Sequence, residues 1–360
     1  MTRCPNDHSG FRNPGSGFPV SNLRSWISDL RFTRLALLAI VCLAALLIPS
    51  AGPAVVQAAE EAVGIAELDP RTERAIDRGL RSLAASQQAD GSWGGGYKAA
   101  NTSVALMAFM LKGYFPDKGE HGKTLDKAVG YLLKRIKDGG GYVGGNMYEH
   151  GLTTLALSEA WGMSRRTEIR DALKKAVEII LRAQSREGGW RYHPKPLDAD
   201  LSVTVMQIVA LASAREAGIY VPDATIDKAK AYVKRLQDTS GGFGYQSAAS
   251  PGFARSAAGV MSLLMLGERD SRAVQKGLAY LHDQPESVFQ KVEHYYYGHY
   301  YAVQAMYQAG DAHYQKWYPK IRDALLTKQA ANGSWGSEFD TGLSVLILGV
   351  PYRYLPIYQR

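Results

Sequence analysis

The sequence predicts an all-α chain folded as an (α/α)6 toroid, in which outer and inner helices alternate around a closed ring. Three patterns in its 360 residues carry that expectation: a glycine-aromatic turn recurring about every fifty residues, an amphipathic stretch before each turn, and an apolar, small-residue stretch after it. With 46% hydrophobic and 21% charged residues, the chain can bury a core, which sets aside a disordered polymer.

In chain order, residues 1–58 read as an export signal or membrane anchor. Arg31 and Arg34 lead into a fourteen-residue apolar run, Leu35 to Ile48, that stops at Pro49. Small residues follow up to Val56-Gln57-Ala58-Ala59-Glu60, which suits cleavage near Ala58. Either form places the remainder in the periplasm or outside the cell, with membrane association through the N-terminal segment if it is retained. Residues 59–69 then form a linker, 70–350 the toroid and 351–360 a tail. Removing the five Arg and two acids of residues 1–58 leaves 37 bases against 32 acids, spread without a long basic run, so nucleic-acid binding is not expected. Cys4 and Cys42 both lie in the segment expected to be lost. A mature chain without thiols has no disulfide, no Cys-ligated zinc, no thioester and no Cys nucleophile.

The turn is read from four matches at seven fixed positions: Gln87-x-x-Asp-Gly-Ser-Trp93, Gln184-x-x-Glu-Gly-Gly-Trp190, Gln237-x-x-Ser-Gly-Gly-Phe243 and Gln329-x-x-Asn-Gly-Ser-Trp335. A degenerate copy has Ile136 in the Gln place and Gly139-Gly140-Gly141-Tyr142 behind it, and a sixth is suggested near Gln284. Glycine allows the reversal, the aromatic ring fills the gap between neighbouring helix pairs, and the Gln amide satisfies backbone groups of the turn or helix end. Before the turns lie one-faced helices such as Leu125, Ala128, Val129, Leu132, Leu133 and Ile136. After them lie Thr102–Lys112, Leu152–Trp161, Val203–Ala217, Ser256–Leu266 and Gly342–Leu348, apolar nearly all round and therefore buried among other helices. Gly113, Gly162, Gly218, Gly267, Gly310 and Gly349 follow such stretches and suit a left-handed C-cap, which implies six inner helices. Closure buries the inner layer without exposed ends, whereas an open solenoid would need polar capping repeats.

These Gln-x-x-Asp-Gly-x-Trp copies resemble the QW repeats of squalene and oxidosqualene cyclases, and the wider pattern is similar to the prenyltransferase/squalene-oxidase repeat family over residues ~70 to 350. The resemblance implies an α/α toroid with a deep, aromatic-lined central cavity. It speaks to fold more than to activity, because one fold carries many functions. Squalene cyclases protonate a polyene with the middle acid of an Asp-x-Asp-Asp-Thr run; here the nearest text is Asp198-Ala199-Asp200-Leu201-Ser202, which lacks the third acid and the Thr. The zinc set of protein prenyltransferases includes a Cys, and complement-type thioester domains need Cys-Gly-Glu-Gln; the mature chain has neither. No metal and no cofactor is expected.

If each inner helix starts at the end of its turn, all six N-termini face one mouth of the ring, where free N–H groups favour anionic or polar ligands. The residues there are Asn101-Thr102, Glu149-His150, Asp198 with Asp200 and Ser202, Arg255-Ser256, His294 with His299, and Asp340-Thr341. Asp198, Asp200, Glu149 and His150 are the candidates for proton transfer; Arg255, His294, Tyr297, His299, Tyr300 and Asp340 are candidates for ligand binding. Capping alone would also explain Asn101, Asp200 and Asp340, but His and Arg are not favoured caps. His294-Tyr-Tyr-Tyr-Gly-His299-Tyr-Tyr puts two His and five Tyr into eight residues, a set able to shuttle protons, stack on a sugar or polyene, or fill the wall where a turn is degenerate. Three functions follow: an exported toroid binding a hydrophobic or envelope ligand, a polyprene cyclase using a buried acid, and a carbohydrate-active toroid using paired carboxylates. Their ligands would be isoprenoid, lipid or glycan.

Overall fold

The computed structural model describes residues 68–352 and Leu355; the leader, Cys4 and Cys42 lie outside the described residues. Among these residues are thirteen α-helices, a short 3-10 turn at Val350–Tyr352 and only isolated β-bridges. The outer helices are α1 (Pro70–Ser86), α3 (Gly122–Asp138), α5 (Thr167–Ala183), α7 (Asp223–Arg235), α9 (Arg272–His282) and α12 (Asp311–Lys328). The inner helices are α2 (Lys98–Leu111), α4 (Met147–Ser164), α6 (Leu201–Glu216), α8 (Phe253–Met265), α11 (Tyr295–Ala309) and α13 (Glu338–Leu348), while a short α10 (Glu286–Lys291) precedes α11.

Inner helices pack on their neighbours in the order α2, α4, α6, α8, α11, α13 and back to α2, so the ring is closed. Outer helices bury one face: α3 hides Leu125, Ala128, Val129, Leu132 and Ile136 and leaves its lysines in water. In α2 every residue except Lys98 and Asn101 is buried, as a helix apolar on all sides requires. No described helix is long and apolar enough to cross a membrane.

The repeated turn ties each helix pair to the next. Gln87 Nε2 donates to Gly91 O (3.1 Å) in its own turn and to Thr124 O (2.9 Å) at the start of the following outer helix. Gln184 does the same to Gly188 O and Thr225 O, and Gln237 to Gly241 O and Ala273 O. Trp93, Trp190 and Trp335 each donate Nε1–H to a carbonyl of the preceding outer helix, Leu83, Ile180 and Leu325, at 2.7–2.8 Å. The last turn closes the ring: Gln329 Nε2 donates to Ala75 O of α1 (2.8 Å), Arg78 donates to Gln329 Oε1, and the Trp335 ring lies where a Cβ on Gly79 would be 2.8 Å away.

The two irregular turns depart from the sequence reading. In the second, it is Gly141, at φ 107°, that approaches Lys175 O, the place taken by Gly91 against Lys127 O and by Gly188 against Lys228 O. The register is therefore one residue later, and Val143, not Tyr142, occupies the Trp position. Near Gln284 no such turn forms: the Gln amide bonds back to Tyr280 O (2.9 Å), α10 is inserted, and Phe289 packs on Trp317 with centroids 5.4 Å apart. Of the six proposed C-cap glycines, Gly113, Gly218, Gly267 and Gly310 have positive φ. Gly162 is instead inside α4, with Arg165 (φ 56°) ending the helix, and Gly349 (φ −92°) runs on into the 3-10 turn.

Candidate functional site

The inner helices for which the apolar pattern gave a start begin two to five residues earlier than it suggested, because their first turns carry the polar residues of the mouth. Two clefts open there. One, of ≈390 Å³, is lined by Tyr97, Asn101, Asn146, Tyr148, Glu149 and Phe339, and the other, of ≈370 Å³, by Ser202, Tyr245, Phe253, Arg255, His294 and Tyr297. Tyr192 belongs to both, so it stands on the ridge between them.

The floor is aromatic. Tyr148 of α4 meets Tyr297 of α11 with centroids 6.0 Å apart. These helices are second and fifth in the ring, so the contact spans its diameter. Below it, Tyr297 stacks edge-on to Tyr301 (4.8 Å), and the Tyr301 hydroxyl reaches Met206 Sδ of α6 (3.3 Å). The deep central cavity implied by the resemblance is closed at this level by tyrosine.

The N-termini of α2, α4 and α6 find acceptors both in their own N-cap residues and in the next repeat round the ring. Asp200 caps its own α6, accepting from Val203 N (2.9 Å) and Ser202 Oγ (2.6 Å), and its other oxygen lies 3.5 Å from Arg191. Glu149 Oε1 accepts from Ala99 N (3.2 Å) at the start of α2, Met147 N donates to Tyr192 O (2.8 Å), and Leu201 N donates to Tyr245 O (2.9 Å). Ala99 N, Met147 N, Glu149 N, Leu201 N and Val203 N, among the groups expected to attract an anion, thus already have acceptors. Burial raises the Glu149 carboxyl above its ordinary range, opposed by the N–H groups of Ala100 and Ala99. Burial raises Asp200 as well, against the hydrogen bonds from Ser202 and Val203 and the charge of Arg191. Asp198 is half-exposed, 3.6 Å from Arg191. Asp340 is the third residue of α13 and shares hydrogen bonds with Ser337, the N-cap.

The histidines divide. His294 is 72% exposed at the rim, in a left-handed conformation (φ 56°); Tyr97, 67% exposed at the opposite cleft, adopts the same strained conformation (φ 47°). His150 and His299 are fully buried and line neither cleft. His150 accepts from Val143 N at Nδ1 (3.3 Å) and therefore donates from Nε2 to Ala176 O (3.0 Å), standing where the other turns use a Thr or Ser hydroxyl and a Trp indole. His299 donates to Phe289 O (2.9 Å) amid Phe253, Phe289 and Tyr295, holding α10 to α11. Tyr300 is buried against Tyr301 (5.1 Å) and lines neither cleft. Burial pulls the pKa of both imidazoles down to about 4. Arg255 reaches Ser250 O (2.7 Å) along the second cleft.

The prenyltransferase alpha-alpha toroid domain matches this sequence over residues 67–290 and 217–340. The chain belongs to that family. Solved structures of the same toroid fold include an inactive α-1,6-mannanase of Salegentibacter sp. HEL1_6 in complex with α-1,6-mannotriose, at TM-score 0.60 and 10% identity over 79% of this chain and 99% of that one. Another is a variant of the type II terpene cyclase MstE from Scytonema in complex with geranylgeranyl dihydroxybenzoate, at TM-score 0.57 and 16% identity over 79% and 98% of the two chains. Among curated protein sequences there is no match.

Within this toroid, Arg191 is among the residues that sequence reasoning overlooked. Its guanidinium sits 5.5 Å from the Tyr192 ring and 5.6 Å from the Tyr245 ring while facing Asp198 and Asp200, so it fixes the ridge between the clefts. Its signal was faint: Arg191 merely follows Trp190, and Tyr245 is two residues after Phe243. Only the fold brings the two loops together, through Tyr192 Oη and Tyr245 Oη at 3.3 Å. Replacing Glu149 by alanine leaves the N–H groups at the start of α2 without an acceptor, an expected cost of about 1–3 kcal/mol in urea unfolding. Glu149→Gln keeps an acceptor and should recover most of it. Because the folded carboxyl titrates above 4.5, its ordinary value, wild type holds more protons than the unfolded chain and loses stability as pH rises through that window; Glu149→Gln should flatten this slope.

Proposed function

We propose that the protein is an exported binding toroid whose mouth, rather than its lumen, holds a neutral envelope glycan. The observation that carries this reading is the Tyr148–Tyr297 contact across the ring, with Tyr301 and Met206 beneath it. A polyprene cyclase needs an enclosed apolar chamber under a buried acid; here the volume lies above the tyrosines, in two open clefts. Exposed aromatic faces next to amide and hydroxyl groups suit a sugar, whose apolar ring faces stack while its hydroxyls bond Asn101, Asn146 and Ser202. The caps on α2, α4 and α6 leave little for an anion to bind. The mannanase in complex with α-1,6-mannotriose and the cyclase in complex with geranylgeranyl dihydroxybenzoate offer both ligand classes on this fold, and the mouth favours the first.

A second reading, glycan cleavage, draws on one observation: Glu149 is a carboxyl of raised pKa inside a cleft. Hydrolysis calls for a partner carboxylate, and Glu149 is the one acid among the residues lining its cleft. Binding without turnover is therefore the better fit.

The test is calorimetry against soluble envelope glycans, α-1,6-mannotriose among them. Tyr97→Ala and Tyr192→Ala should each weaken the best binder by about tenfold or more, as loss of a central aromatic contact does. Affinity indifferent to both substitutions, or conversion of a polyprene by wild type, would refute the proposal.

A further inference from the structure

A second surface, on the outer wall and independent of the glycan reading, carries a charge pattern that the mouth does not use. Arg71, Arg74, Arg78 and Arg81 are all exposed on α1. At 100° per residue they fall within an arc of about 80°, and they run about 15 Å along the helix. With Leu326 of α12 they line a groove of ≈380 Å³. Arg71 has Asp69 at 3.7 Å, and Arg78 donates to Gln329 of the closing turn. Arg74 and Arg81 have no acidic partner among the described residues. The acids of α1 are turned elsewhere: Asp77 pairs with Lys112, and burial lowers the Lys112 pKa against the charge of Glu73, which places that acid on the Lys112 side.

We propose that this arginine groove binds the phosphate headgroups of an anionic membrane surface. Guanidinium forks match phosphate oxygens two at a time, and a row of them on one helix face presents to a plane rather than to a single small ion. Leu326 gives the groove an apolar side against the glycerol region. The sequence supplies the reach: the apolar run Leu35 to Ile48 ends about twenty residues before α1, a span of at most about 70 Å when extended, so in a chain that retains that run as an anchor α1 is the first described helix after the tether and within reach of the bilayer. A surface with only mild net charge and its bases otherwise dispersed is a poor nucleic-acid site, which favours the lipid.

The experiment uses the full chain and vesicles of phosphatidylcholine with and without phosphatidylglycerol, at low and high salt. The N-terminal segment, with five Arg against two acids, also favours anionic lipid, but equally in wild type and variants, so the groove is read from the difference between them. Wild type should prefer the phosphatidylglycerol vesicles, and the preference should collapse at high salt. The double variant Arg74→Ala, Arg81→Ala should lose about 30-fold of it, with an unchanged melting curve because both side chains are exposed. The double Arg→Lys variant, which keeps the charge, should retain a large part. The proposal is overturned if wild type shows no preference, if the double Ala variant retains it, or if inorganic phosphate or a DNA duplex at equal phosphate concentration strips the protein from the vesicles.

Discussion

Replacing Trp335 by alanine is expected to lower the melting temperature by on the order of 10 °C. The indole is 2% exposed, donates to Leu325 O at 2.8 Å, and fills the space between α12, α13 and the first outer helix at Gly79 and Val345. Truncating a buried Trp costs about 3–5 kcal/mol, and no small neighbour can relax into the gap, since Gly79 has no side chain to offer. The same turn holds Gln329 on Ala75, so loosening it weakens the contact between residues some 250 positions apart in sequence. Circular dichroism melts of Trp335→Ala beside Trp93→Ala test this. Equal losses mean that every turn contributes alike, while a larger loss at Trp335 shows that closure is cooperative; a loss below about 1 kcal/mol would contradict the packing described.

Acidification should destabilise the ring through His150 and His299. Both are neutral in the fold, with pKa drawn down to about 4 from an ordinary 6.5. The native state thus binds fewer protons than the unfolded chain between these values, so their contribution is full above pH 6.5 and is lost as pH falls toward 4. Between pH 7 and 5 each amounts to about 2 kcal/mol. Glu149 and Asp200, whose carboxyls are raised by burial, act in the opposite sense and blunt the net effect. The informative measurement is therefore the difference between wild type and His150→Gln in urea midpoints at the two pH values. Gln keeps a donor and an acceptor without titrating, so its midpoint should fall less on acidification. Equal pH dependence of the two proteins would show that His150 does not carry the effect.

The same two histidines show how far the site could be read in advance. Glu149, Arg255, His294 and Tyr297 were placed at the mouth by their position after a turn, and all four line the clefts. His150, His299 and Tyr300 come from the same stretches, yet the helical turn sends neighbours about 100° apart, and these three are buried away from both clefts. Glu149 faces the cleft and His150, the next residue, faces α5. Tyr97, Tyr148 and Tyr192 were passed over because an aromatic outside a recognised motif carries no sign of which side of the ring it will meet.

By itself the sequence determined the alternation of one-faced and all-apolar helices, the number of pairs, and the turns that join them, because each rests on local periodicity and on what glycine, Gln and Trp do within a few residues. Tertiary structure alone decided which candidate residues share a cleft, that the lumen is bridged by Tyr148 and Tyr297, and that Arg191 holds two loops together. Those facts depend on the rotation of each helix about its own axis and on contacts between the second and fifth members of the ring. Burial of the whole inner layer sets that rotation, and no local pattern encodes it.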